Sequence, residues 1–174
     1  MKRKIALFVL VQVAMLVAVE VVLSRFLSIS TPVTKIGFAF VPLAVCGMLF
    51  GPVWGGVAGG VADFIGAILF PIGPYFPGFT LTNALHGVMF GLFLHRREAR
   101  WWHIALAVGI NQFVLGVFLS AYWLYVMGAG PYWVLVQARV LQGCILFPVQ
   151  FAVIRLMQAP MRRYAGFAQR YRLI

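Results

Sequence analysis

The chain has 174 residues, 63% of them hydrophobic and only 10% charged, with a mean hydropathy of +0.98. So little charge excludes an ordinary soluble domain, and apolar runs of roughly 17 to 25 residues, enough to cross a hydrocarbon core of about 30 Å, tile the length. The net charge of +11 gathers in Lys and Arg at the ends of these runs, which argues against nucleic acid and for anionic lipid headgroups as its partner.

In chain order, MKRKIALFVLVQVAMLVAVE imitates a signal peptide, but Glu20 and Arg25 follow where a small-residue cleavage site should stand. It reads as a retained first span, from about Ile5 to Ser24. A polar link with Ser28, Ser30, Thr31, Pro32 and Thr34 leads to a short second span, about Ile36 to Phe50. Gly51 and Pro52 then turn the chain into a third span that ends near Phe70. In it Gly51, Gly55 and Gly59 recur every fourth residue, with Gly56 and Gly60 one position on. That spacing lets helix backbones approach closely inside a bilayer, and it reads as packing.

Pro71, Pro74 and Pro77, interleaved with Tyr75, Phe76 and Phe79, form a stiff aromatic loop before a fourth span, about Thr80 to His95. After the charged link HRREAR, a fifth span runs from about His103 to Met127, and a sixth from about Trp133 to Gln158 before a basic tail. The pattern predicts an all-α polytopic membrane protein, one domain over residues 1–174, with six transmembrane helices.

Short loops rich in Lys and Arg stay cytoplasmic. With the N-terminus inside, Lys2, Arg3, Lys4, Arg96, Arg97, Arg100, Arg155, Arg162, Arg163, Arg170 and Arg172 fall on the cytoplasmic side and only Arg25 and Lys35 face out. Both termini are then cytoplasmic. Asp63 lies about 10 Å and Arg139 about 9 Å below the outer ends of their spans, at about 1.5 Å per residue. Glu20, Asn83, His86 and Tyr122 fall in the same outer half, and Gln142 slightly deeper. Gln12 and Gln150 are the main polar side chains of the inner half. This describes a pocket opening outward, not a continuous channel.

An ionisable group within a span costs about 2.5 to 3.5 kcal/mol on insertion scales, which makes Asp63 the leading candidate for ligand binding; a structural pair with Arg139 is the bland alternative. Glu20 is near enough to the outer end to reach water. A single His on an apolar helix, such as His86, is ordinarily a hydrogen-bonded core residue, and no cluster has metal-ligand spacing. Cys46 and Cys144, with no CxxC, read as small core residues. The chain has no phosphate loop, no G-x-S-x-G and no H-E-x-x-H, so ATPase and hydrolase chemistry lack their parts. No catalytic residue, metal or cofactor is predicted.

The runs SRFLSISTP, GFAFVPLAVCGMLFGPVWGGVAGGVADFIGAILFP and GPYFPGFTLTNALHG resemble the folate-specific substrate-binding subunit, the S component, of energy-coupling-factor (ECF) transporters. The resemblance implies a six-helix membrane protein of the bacterial cell membrane that binds folate from outside. It also implies association with a transmembrane coupling subunit (T component) and two cytoplasmic ATPase subunits. Small residues matching Ala14-x-x-x-Ala18 would meet the coupling subunit, and the loops at residues 25–35 and 71–79 would gate the pocket. Asp63 would accept the two-donor edge of the pterin ring, with Arg139 orienting that carboxylate or meeting ring acceptors. Tyr75, Phe79 and Tyr122 would offer aromatic faces. Asn83 and His86, which with Thr82 differ from the small, less polar residues the family carries there, are candidate contacts of this chain's own, and Arg25 with Lys35 would meet the carboxylates of the tail. An S component for thiamine or riboflavin fits the same frame, and a membrane enzyme acting on lipid is the reading from another class.

Overall fold

The computed structural model describes residues 2–30, 35–71, 73–95 and 100–170. Thr31, Pro32, Thr34, Arg96, Arg97, Arg172 and the side chain of Lys35 lie outside the described residues. Among the described residues the fold is helical apart from one short ribbon. Helix α1 (Lys2–Arg25) leads into the antiparallel strands β1 (Ser28–Ser30) and β2 (Lys35–Gly37), paired Ser28 to Gly37 and Ser30 to Lys35. Then come α2 (Phe40–Phe50), α3 (Pro52–Leu69) and α4 (Pro77–Leu94). Helix α5 (Trp101–Gly109) continues through a π-helical segment (Ile110–Leu119) into α6 (Ser120–Val126), and α7 (Tyr132–Arg170) closes the chain.

Among the described residues, four helical runs are long and apolar enough to cross a membrane: Leu7–Arg25, Pro52–Leu69, Trp101–Val126 and Tyr132–Met161. Three expectations need correction. Ile36 belongs to the ribbon, so the second helix starts only at Phe40. The fourth starts at Pro77, whose missing N–H costs nothing at the first helical position. The last runs to Arg170 with Pro148 and Pro160 inside it, residues that ordinarily kink or end a helix.

The glycines of α3 are explained by α4, its most extensive partner. A Cβ added at Gly55 would fall on the Gly87 carbonyl oxygen, one at Gly59 on the Asn83 carbonyl oxygen, and one at Gly91 on the backbone of Pro52. Gly47 of α2 completes the seam, since a Cβ there would lie 2.7 Å from the Gly91 nitrogen. Gly51, between α2 and α3, has φ +88°, where a side chain would be strained. The main core joins Val9, Val13, Val17 and Val21 of α1 to Leu43, Ala58, Phe90, Ile104 and Ile154. A second cluster of Val117, Ala121, Leu124, Leu135 and Val136 sits around the α6–α7 turn. Cys46 is fully buried as expected, but Cys144 is exposed on the outside of α7, so it is no core residue.

Candidate ligand site

The helices enclose a cavity of about 390 Å³, within the range of roughly 300 to 1,000 Å³ usual for small-molecule sites. Along α4 it is lined from Phe79 to Phe90, and along α7 from Arg139 to Gln150. Either stretch spans about 16 Å of helix. Arg25, Ser28, Gly37 and the loop residues Gly73, Pro74 and Tyr75 surround one end; Phe90, Asn111, Gln112 and Gln150 line the other. The cavity therefore goes deeper than the predicted polar layer, since Gln150 was assigned to the opposite half.

At the loop end, Asp63 is held by residues from two other helices. Arg25, the last residue of α1, places Nη2 3.8 Å from Asp63 Oδ1, and the Thr80 hydroxyl donates to Oδ2 at 2.8 Å. Thr80 Oγ1 is also 3.3 Å from the Tyr75 hydroxyl. Arg25, and not Arg139, is thus the ion-pair partner of Asp63. Gly66 makes this possible, because a Cβ there would lie 2.7 Å from Arg25 Nε. The guanidinium crosses that bare position to reach one turn further along α3. Both Asp63 oxygens therefore already have partners.

Glu20 is 3% exposed, buried away from the water it was expected to reach. Asn83 Nδ2 donates to Glu20 Oε1 at 2.7 Å and to the Gly59 carbonyl at 2.9 Å. One amide thereby joins α1, α3 and α4. Nearby, Thr82 donates to the Gly78 carbonyl and accepts from Trp123 Nε1 at 3.0 Å. Trp123 in turn packs on Phe76, their ring centroids 5.5 Å apart.

Of the residues expected at the site, Arg25, Asp63, Tyr75, Phe79, Asn83, His86 and Arg139 all line the cavity. Tyr122 does not. Its ring is exposed and packs edge-on against Trp123, because consecutive helical residues point in different directions and Trp123 took the inward one. Sequence reasoning passed over Phe40, Phe76, Asn111 and Gln112, which line the cavity. Asn111 and Gln112 carried a usable signal, two adjacent amides in an otherwise apolar span, costly to bury without partners. The buried atoms His86 Nε2, Asn111 Oδ1, Gln112 Nε2, Arg139 Nε and Gln150 Oε1 have no hydrogen-bond partner within the protein. Such groups are rare in a finished core and call for an explanation. Among the described residues no group of His, Cys, Asp or Glu could hold a metal ion.

Outside the cavity, Ala14 and Ala18 face away from the core and line an apolar groove of about 520 Å³ between α1 and α3, with Leu10, Trp54, Val57 and Val61.

Residues 8–158 match the family described as "ECF transporter, substrate-specific component". The chain belongs to this family. As a substrate-specific component it is a ligand-binding part of a transporter, not an enzyme. It is 37% identical over 146 residues to the folate transporter FolT of Clostridium novyi, covering 84% of this chain and 85% of that one. It is 31% identical over 149 residues to FolT of Leuconostoc mesenteroides, covering 82% and 80%. Among solved structures it resembles the crystal structure of FolT bound with folic acid, with a TM-score of 0.82 and 34% identity over 87% of this chain and 92% of that one.

Proposed function

We propose that this chain captures folate from outside a bacterial cell and delivers it inward together with a transmembrane coupling subunit and two cytoplasmic ATPase subunits. It does so as a single integral membrane domain that crosses the cell membrane six times, with both termini in the cytoplasm. The observation that carries the reading is the cavity, with aromatic side chains and buried polar atoms that lack partners within the protein. Kinship with FolT proteins, one of them solved with folic acid, supports folate as its occupant.

Folate is long, with a flat polar pterin head and two carboxylates at its tail, and the cavity is elongated in the same way. The head goes to the deep end, beyond His86 toward Phe90, and the tail to the loop end, beside Arg25 and Tyr75, with Phe79, Asn83 and Arg139 along the way between them. A guanidinium has five N–H donors, so Arg25 can serve both Asp63 and a tail carboxylate. Asp63 then acts on the ligand by aiming Arg25, in place of reading the ring itself. The groove over Ala14 and Ala18 receives the coupling subunit, where small side chains let a partner helix come close.

Calorimetry on the purified, detergent-solubilised chain with folic acid, thiamine and riboflavin tests the ligand. Tight binding of folic acid alone is expected. A preference for either other vitamin would reassign the substrate, and binding of none would sink the reading.

A further inference from the structure

Two threonines hold the first turn of α4 from opposite sides. Thr80 and Thr82 are two residues apart, about 200° around a helix of 3.6 residues per turn, so their side chains leave on opposite faces. Thr80 donates to Asp63 Oδ2 of α3 at 2.8 Å, and Thr82 accepts from Trp123 Nε1 of α6 at 3.0 Å. The Thr82 hydroxyl gives its own proton to the Gly78 carbonyl at 2.9 Å, so the indole bond reaches the backbone of the turn. Trp123 also covers Gly78 directly. A Cβ there would lie 2.6 Å from Trp123 Cδ2 and 2.5 Å from Phe76 Cε1, so the bare glycine is the seat of both rings.

Trp123 stands on a fixed base, since Ala121 and Leu124 beside it are buried in the cluster around the α6–α7 turn. It lies behind the cavity wall, outside the lining. Along α4 the close backbone approaches to its neighbours run from Gly91 through Gly87 to Asn83, which fixes the deep half of the helix. The turn ahead of Asn83 is held through side chains, by Asp63 on one face and Trp123 on the other. That turn carries Phe79 on the cavity and meets the loop where Thr80 Oγ1 is 3.3 Å from the Tyr75 hydroxyl.

We propose that Trp123 is a positioning residue for the tail of the ligand. Through Thr82 and Gly78 it fixes the first turn of α4, and that turn holds Thr80 against Asp63, the group that aims Arg25. This rests on the folate reading, in which the tail carboxylates lie beside Arg25 at the loop end. The head, at the deep end, is bounded by the part of α4 that the backbone seam already fixes. Loss of the Trp123 bond therefore weakens the hold on the tail and leaves the hold on the head.

The test is calorimetry of the full chain with folic acid and with pteroic acid, which has the same head and lacks the glutamate tail. The wild-type chain should bind both, folic acid more tightly. Trp123→Phe keeps a ring against Phe76 and removes the donor. One neutral hydrogen bond is worth up to about tenfold, so folic acid should weaken about fivefold and pteroic acid less than about twofold. Thr82→Val removes the acceptor in the same volume and should show the same selective loss. The double variant should lose no more folic acid affinity than the weaker-binding single one, because both break the same bond. Either single variant decides the selectivity if the other does not fold. Equal loss for the two ligands would mark a general structural role and overturn the assignment, and so would unchanged folic acid affinity or additive losses in the double variant. Absence of folic acid binding by the wild-type chain would instead bring down the folate reading, and this assignment with it.

Discussion

Helix α4 has two faces built on opposite principles. One carries Gly87 and Gly91 against Gly55 and Pro52, so close that a single methyl has nowhere to go. The other carries Phe79, His86 and Phe90 along a cavity where polar atoms are left without partners in the protein. The first face is complete by itself, because backbone meets backbone and little is gained from anything added. The second is incomplete within the protein, since each unmet buried polar group costs about 1 to 3 kcal/mol. A rigid seam beside an unsatisfied cavity lets binding energy go into recognition and not into ordering the scaffold.

The comparison is broken most severely by filling the seam. Gly87→Leu should destabilise the fold by about 3 kcal/mol or more, the upper end for overpacking, because the obstructing atoms are backbone and cannot swing aside. Thermal unfolding in detergent checks this, and a melting temperature equal to wild type would refute the seam. Asn83→Leu comes next and touches both faces, since its amide meets Glu20 in the cavity and the Gly59 carbonyl in the seam. Losing a bond to a charged partner costs about 1.5 to 3 kcal/mol, so stability and folate affinity should fall together. A change in only one of them would assign Asn83 to a single face.

Asp63→Asn sharpens the contrast from the loop end. Partly exposed ion pairs contribute at most about 1 kcal/mol, and Asp63 retains 24% exposure of its side chain, so the melting temperature should barely move. Folate affinity should nevertheless fall about tenfold, because Arg25 loses the group that aims it. Unchanged affinity would remove the Arg25–Asp63 pair from the site. The smallest effect on either face is expected from Ala14→Trp with Ala18→Trp, which lie outside both. Stability and folic acid binding should match wild type, while co-purification with the coupling subunit and uptake are lost. Weakened binding with assembly intact would show that this face supports the pocket instead.

The sequence by itself determined much of this protein. Apolar run length set the helical membrane class, because an unpaired backbone is too costly in hydrocarbon for anything but helices or closed barrels. The four-residue recurrence of glycine announced close helix contact, and the isolated charges and amides announced a cavity, because both patterns are local and a bilayer makes each expensive to misplace. Tertiary structure alone decided which groups meet. Asp63 pairs with Arg25 and not Arg139 because Gly66 leaves a path across α3, a fact spread over two helices and a missing side chain. The ribbon at Ser28–Ser30 and Lys35–Gly37 was hidden in a polar link, since three-residue strands carry too few side chains to show a period of two. Asn111 and Gln112 both turn inward because a π segment changes the angle between neighbours, and no pattern read at a fixed helical period registers that change.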